Sequence, residues 1–132
     1  MKVELENKLF KKYPKIFRQK SLSMTETAMC WGVSTGDGWY WLIDNLCNTI
    51  QRYIDANKKE QVEATQVKEK YGGLRFYYCG GDDLIDGMIW LAESMSYIIC
   101  EQCGSIEGVT QTKGWIVTLC KKCMDKRNES RK

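Results

Sequence analysis

Apolar residues recur along this chain with two periods, and the switches between them outline its elements. From Val3 to Tyr13, Leu5, Leu9 and Phe10 fall on one side of a helical turn among lysines, which predicts a short helix closed at Pro14. Ile16 and Phe17 are expected to pack inward just beyond it. The pattern then weakens. Thr25 to Trp31 reads as a strand, and Gly32, Gly36 and Gly38 mark the rest of Ser21–Gly38 as a connecting loop. A three-and-four repeat resumes at Trp39, Leu42, Ile43, Leu46, Cys47, Ile50, Tyr53 and Ile54. It predicts a core helix with Asp37 as N-cap, ending near Asn57.

Strand-like alternation takes over from Val62 to Cys79, with Gly72-Gly73 as the turn of a hairpin. Pairing Tyr71 with Leu74 places Val67, Glu69, Tyr71, Leu74, Phe76 and Tyr78 on one face, read as core. Lys68, Lys70, Arg75 and Tyr77 share the other. A charged outer face is ordinary in a half-exposed hairpin, and this one also suits phosphate contact and base stacking. Asp82 or Asp83 then caps a third helix, in which Leu84, Ile85, Met88, Ile89, Ala92, Met95 and Ile99 follow at helical spacing. Its methionines and Trp90 are expected to complete the core. Capping and the helix dipole account for Asp82, Asp83 and Asp86 better than a carboxylate metal centre does.

The last third carries the clearest chemistry. Cys100-Glu101-Gln102-Cys103 and Cys120-Lys121-Lys122-Cys123 are two C-x-x-C pairs separated by sixteen residues. Each pair sets two sulfurs on a tight turn, and the spacer is long enough to fold back, so the four sulfurs predict one structural Zn²⁺. The rival readings are two disulfides, which need an oxidising compartment, or redox-active pairs. Gly104 permits a knuckle turn, Val109–Thr112 and Trp115–Leu119 read as a second hairpin about Lys113-Gly114, and Cys120 and Cys123 open a helix running to Arg131. Cys30, Cys47 and Cys79 lack such partners and read as structural, small and apolar. The expected architecture is α+β: a core over 1–99 of helix, loop, helix, hairpin and helix on a small antiparallel sheet. A treble-clef-like zinc module over 100–132 packs on it, the two forming one domain.

Composition narrows the function. There is no histidine among the 132 residues, which removes the commonest general base and every histidine-liganded metal site. Enzyme activity is not expected. The formal charge of +3 falls to +1 once four thiolates bind a dication, so nucleic-acid binding would need a local patch. Lys113, Lys121, Lys122, Lys126, Arg127, Arg131 and Lys132, against only Asp125 and Glu129, supply one, and part of that charge is expected to offset the thiolate centre. The first residues lack the apolar run of a signal peptide, and no stretch reaches bilayer-spanning length, so cytoplasm and no membrane partner are expected.

Two resemblances follow from these motifs. Trp115 and Leu119-Cys120-Lys121-Lys122-Cys123 resemble the second half of GATA-type treble-clef fingers. That likeness implies a four-cysteine zinc site over the last 33 residues, while the absent histidine excludes treble-clef nucleases of the His-metal type. Met24–Gly32, Gly36-Asp37-Gly38-Trp39, Lys68–Tyr77 and the terminal C-x-x-C pairs resemble small, poorly characterised phage and prophage proteins. This implies an accessory protein of mobile elements, of the kind that docks on host or phage proteins, counter-defence inhibitors included. The leading expectation is therefore a non-enzymatic, zinc-stabilised protein-binding protein. The alternatives are a nucleic-acid-binding module and sequestration of a small anionic ligand such as a nucleotide. For the nucleic-acid reading the surfaces are Lys68, Lys70, Arg75 and Tyr77 on the hairpin and Lys121, Lys122, Lys126 and Arg127 on the last helix; for the small ligand it is the same hairpin face.

Overall fold

The computed structural model describes residues 1–131. Helix α1 (Val3–Lys12) buries Leu9 and half-buries Leu5 and Phe10. Tyr13, the residue before Pro14, leaves helical geometry as proline demands. Its hydroxyl donates to the Asp44 carboxylate at 2.6 Å, and Lys12 Nζ donates to the same oxygen at 2.8 Å. Those two donors let a carboxylate sit inside α2 (Tyr40–Asn57) without an unpaired buried charge. Along α2 the expected repeat is borne out: Leu42, Ile43, Leu46, Cys47, Ile50 and Ile54 are buried. Asp37 does not cap it. A 3₁₀ turn, Asp37–Trp39, leads in, and the Asp37 carboxylate instead accepts the Lys2 backbone N–H at 2.8 Å.

The sheet differs from a plain antiparallel hairpin. Val33–Ser34 forms β1, which runs parallel to β2 (Glu63–Lys70), and β2 pairs antiparallel with β3 (Gly73–Cys79), giving the order β1-β2-β3. Parallel neighbours need a crossover, and α2 is that crossover. Thr25–Trp31 is no strand; it forms turns ending in a 3₁₀ turn, Met29–Trp31. This segment and the chain just after α1 cover the edge of β2 where β1 stops: Thr27 Oγ1 donates to Thr65 O at 3.1 Å, and Ala64 N–H donates to Ile16 O at 2.8 Å. Thr65 is an extra residue in β2, marking a bulge between Ala64 and Gln66.

The hairpin turns on Tyr71-Gly72, not Gly72-Gly73. Lys70 pairs with Gly73 and Glu69 with Leu74, and both turn residues have positive φ (53° and 83°), as a two-residue primed turn requires. Tyr71 is consequently at the tip, 68% exposed, rather than in the core. The register lies two residues from the Tyr71–Leu74 pairing, and an even shift preserves the faces. Val67, Leu74 and Phe76 are buried, while Lys68, Arg75 and Tyr77 keep to the opposite side.

Helix α3 (Asp83–Ser96) starts at Asp82, whose carboxylate accepts Ile85 N–H at 3.1 Å. Tyr53 and Lys59 reach the same carboxylate from α2 and the residues after it, and with the Ile85 N–H they hold its pKa below the usual range. The buried stripe is Ile85, Ile89, Ala92 and Ser96. Two polar residues of α3 close the outer edge of β3. Ser96 Oγ accepts Leu74 N–H at 2.9 Å, and Glu93 accepts Phe76 N–H at 3.0 Å. An edge strand whose free donors are taken in this way is blunted against pairing with another chain. Trp90 does not complete the core: it is 74% exposed, and Met95 is also exposed. Cys47 is fully buried, its thiol pushed up by burial and by Asp44, but Cys79 lies exposed at the end of β3.

Ser96→Ala is expected to strand the Leu74 N–H in the interior and to cost about 1–3 kcal/mol. Ser94→Ala, on the exposed side of the same helix, should stay within about 0.5 kcal/mol. Urea denaturation of both variants checks the difference.

Candidate metal centre

Beyond α3 the chain makes its second, smaller structure. Ile98 and Ile99 continue in turns, and Trp39 Nε1 donates to Ile99 O at 2.9 Å, fixing where Cys100 begins. Cys100 N–H donates to Ser105 O at 2.8 Å and Gly104 N–H to Cys100 O at 2.9 Å, closing the knuckle turn that carries Cys100 and Cys103. Strands β4 (Thr110–Gln111) and β5 (Thr118–Leu119) pair antiparallel. Thr112 and Val117 complete that hairpin, with Thr112 N–H donating to Val117 O at 3.0 Å. Cys120 then sits at the N-cap of α4 (Lys121–Glu129), and Cys123 is in its first turn. Anionic sulfur at that position meets the free N–H groups and the positive end of the helix dipole.

The four sulfurs of Cys100, Cys103, Cys120 and Cys123 lie within 4.8 Å of one another, and Cys103 and Cys120 are 3.7 Å apart. A tetrahedral ion with metal–sulfur distances of about 2.3 Å separates its sulfurs by about 3.8 Å, whereas a disulfide needs about 2.05 Å. All four cysteines are free thiols in this arrangement. The donor set therefore fits one metal ion and not two disulfides. Burial raises the Cys100 thiol, but the N–H groups of Cys120, Cys103 and Gln102 outweigh it and bring the pKa down to about 7. Cys123 is pushed up to about 12 by burial and by the side chains of Cys120, Cys103 and Cys100. A dication held by the four sulfurs would be bound by thiolates, so its binding would release thiol protons.

The knuckle rests on the stretch read as a mere connecting loop. Gly38 N–H donates to Glu101 O at 2.7 Å, and Gly36 N–H donates to the Glu101 carboxylate at 2.9 Å. Burial raises the pKa of that carboxylate. A Cβ at Gly38 would run into the Cys100 carbonyl oxygen and stand 2.6 Å from both Glu101 O and Gly104 N. Gly36 and Gly38 thus admit the backbone that bears the first cysteine pair. A second seam joins the hairpin tip to the module. Thr118 Oγ1 donates to Gly72 O at 2.5 Å; within the module Glu101 N–H meets Thr118 O at 3.0 Å, and Gln111 Nε2 ties it to the end of α3 by donating to Tyr97 O at 2.9 Å.

The eight residues singled out for anion or partner binding divide between two surfaces. Lys68, Lys70, Arg75 and Tyr77 lie on the open face of the sheet, where Arg75 is tied back to Leu74 O at 3.0 Å and faces the Tyr97 hydroxyl at 3.4 Å. Lys126 and Arg127 line a cavity of about 560 Å³ together with Cys103 and Cys123, so their charge lies beside the thiolates. Lys121 and Lys122 are exposed on α4. Sequence reading missed an apolar surface on α3. Its signal was available: over 84–99 there are more apolar residues than one helix face can bury.

Compared with protein-family models, with curated proteins and with solved structures, the chain has no match. Fold and site together define a small α+β protein whose C-terminal end carries a four-cysteine site that can hold a metal ion. Among the described residues no helix is long and apolar enough to cross a membrane.

Gly38→Ala is expected to lower metal retention and thermal stability although Gly38 ligates nothing. Gly87→Ala, where an added Cβ meets nothing within 4 Å, should leave retention unchanged and stabilise α3 by about 0.5–1 kcal/mol. Metal content after dialysis against a chelator, with thermal melts, separates the two.

Proposed function

We propose that this is a zinc-stabilised, non-enzymatic docking protein that takes an apolar segment of a protein partner on α3. The observation that carries the reading is a second apolar stripe on that helix. Leu84, Met88, Leu91 and Met95 follow one another at four-and-three spacing along α3, and Ile98 continues the series in the turn beyond it; Met88 is half-buried against the core, the others are exposed, and the exposed Trp90 stands beside them. Leu84, Leu91 and Ile98 are each at least 55% exposed. Between this stripe and α2 runs a groove of about 190 Å³ lined by Leu42, Leu46, Met88, Leu91 and Met95. Contiguous exposed apolar side chains beside a groove are a feature of interaction surfaces. Trp90 offers the large, rigid side chain typical of an interface anchor.

Charge adds the partner's character. From residue 76 to residue 112 there is no lysine or arginine, while Asp83 and Asp86 stand exposed at the N-terminal end of the stripe. The surface accordingly suits an apolar segment flanked by basic residues. Zinc is the ion best matched to four thiolates in a tetrahedron, and the order of knuckle, hairpin and helix supports a treble-clef reading of the module. The non-enzymatic reading is supported by the absence of histidine and by where the carboxylates go: Asp44, Asp82 and Glu93 each hold structural donors. Membership among phage accessory proteins, with a host or phage protein as partner, rests on the resemblance carried by the Lys68–Tyr77 and C-x-x-C motifs.

Elemental analysis is expected to find one zinc per chain, and Cys100→Ser to lose it. Leu91→Asp should abolish capture of a discrete partner protein from infected cells while zinc content and melting temperature hold. A partner retained at full strength by Leu91→Asp and by Trp90→Ala would remove α3 as the docking surface.

A further inference from the structure

The open face of the sheet is a separate surface with different chemistry. Lys68 and Lys70 stand two residues apart on β2, about 7 Å along the strand, with Ser34, Gln66, Arg75 and Tyr77 as their neighbours on that face. Two depressions adjoin one another across this lysine pair, since both are lined by Lys68 and Lys70. One, of about 410 Å³, continues to Gln66 and Tyr77 and has no carboxylate in its lining. The other, of about 420 Å³, continues to Tyr71 and Trp115, the latter contributed by the metal module's hairpin turn. Glu69 borders this second depression, with one oxygen already accepting Gly72 N–H at 2.7 Å.

Three features of this track suit a ligand that is both anionic and aromatic. Neither Lys68 nor Lys70 has an ion-pair partner among the described residues. Three aromatic side chains are presented along it: Tyr77 is 42% exposed, Tyr71 68% and Trp115 79%. Lys70 Nζ already lies 5.6 Å from the Tyr71 ring centroid, covering one ring with a cation. Unpaired cations alternating with open aromatic faces are what a single-stranded nucleic acid uses. Its phosphates meet the lysines, and its unstacked bases lie on the rings. A duplex keeps its bases stacked on one another and has no use for the aromatic faces. The formal charge of the whole chain is small, so the attraction must come from local groups such as Lys68 and Lys70.

We infer that the open sheet face, from Tyr77 across Lys68 and Lys70 to Tyr71 and Trp115, binds single-stranded nucleic acid without strong sequence preference. The seat is assembled only when the metal module is folded, because Trp115 belongs to that module and Gly72 is bonded to Thr118.

The test is fluorescence anisotropy of the zinc-loaded protein with labelled oligouridine and oligothymidine of about 12 nucleotides, within the usual span of such sites. Lys68→Ala/Lys70→Ala is expected to weaken binding by roughly tenfold or more and to reduce the slope of log K against log salt by about 1.4, two phosphate contacts at about 0.7 each. Trp115→Ala should weaken it roughly tenfold and abolish quenching of Trp115 fluorescence by the oligonucleotide. Leu91→Asp, on the α3 stripe, should leave oligonucleotide binding unchanged. Binding that is undetectable at tens of micromolar protein, or that is as strong in the Lys68/Lys70 and Trp115 variants as in the parent, would overturn the assignment. So would a duplex of the same sequence binding as tightly as the single strand. Adenosine and uridine mononucleotides binding as tightly as the oligomers would make this a free-nucleotide site and equally overturn it.

Discussion

The C-terminal third completely buries little more than Cys100, Leu119, Cys120 and Thr118. Each buried apolar side chain stabilises by about 1.5–3 kcal/mol, whereas fixing the backbone costs about 1–2 kcal/mol per residue. Thirty-odd residues cannot be ordered on such terms by packing alone. A set of backbone hydrogen bonds to the larger core makes up part of the difference, and a metal ion, which the four sulfurs are placed to hold, would supply more. Everything else in this region follows from that dependence. The Glu101 backbone and carboxylate are engaged by Gly38 and Gly36, Cys100 abuts a position where only glycine fits, and the tip of the first hairpin is bonded to β5.

The same arrangement distributes chemistry over the surface. Helix α3 uses Ser96 and Glu93 to close the edge of β3 and a four-residue stripe to reach the core, which leaves its far side apolar and without cations. The sheet uses one face for the core and keeps its lysines and Tyr77 on the other. Neither surface interferes with the other because the sheet and helix each have two sides and commit only one to stability. Lys126 and Arg127, which in sequence look like part of the same basic tail, line a depression together with Cys103 and Cys123.

Much of this was legible in the chain, and the failures have specific causes. The repeat along α2, the cap at Asp82 and the four cysteines express short-range rules, and each is where those rules put it. The faces of the hairpin survived a wrong register because the error was two residues, an even number. Strand β1 was invisible because two residues carry no period, and it exists only through its pairing with Val67 and Lys68. The glycines at 36 and 38 looked like loop punctuation because the atoms that forbid a side chain there arrive from residues 100, 101 and 104. Periodicity correctly found a helix at α3 but could not say whether a second packing layer covers Trp90.

The contact between Gly36 and Glu101 spans 65 residues of sequence, and this bears on the order in which the molecule is made. A ribosome delivers the cradle long before the knuckle that occupies it. Until the second cysteine pair has emerged, the N–H groups of Gly36 and Gly38 have water as their partner, and the tip of the first hairpin lacks its bond to Thr118. Closure of these distant contacts waits for the last residues, which carry the second cysteine pair.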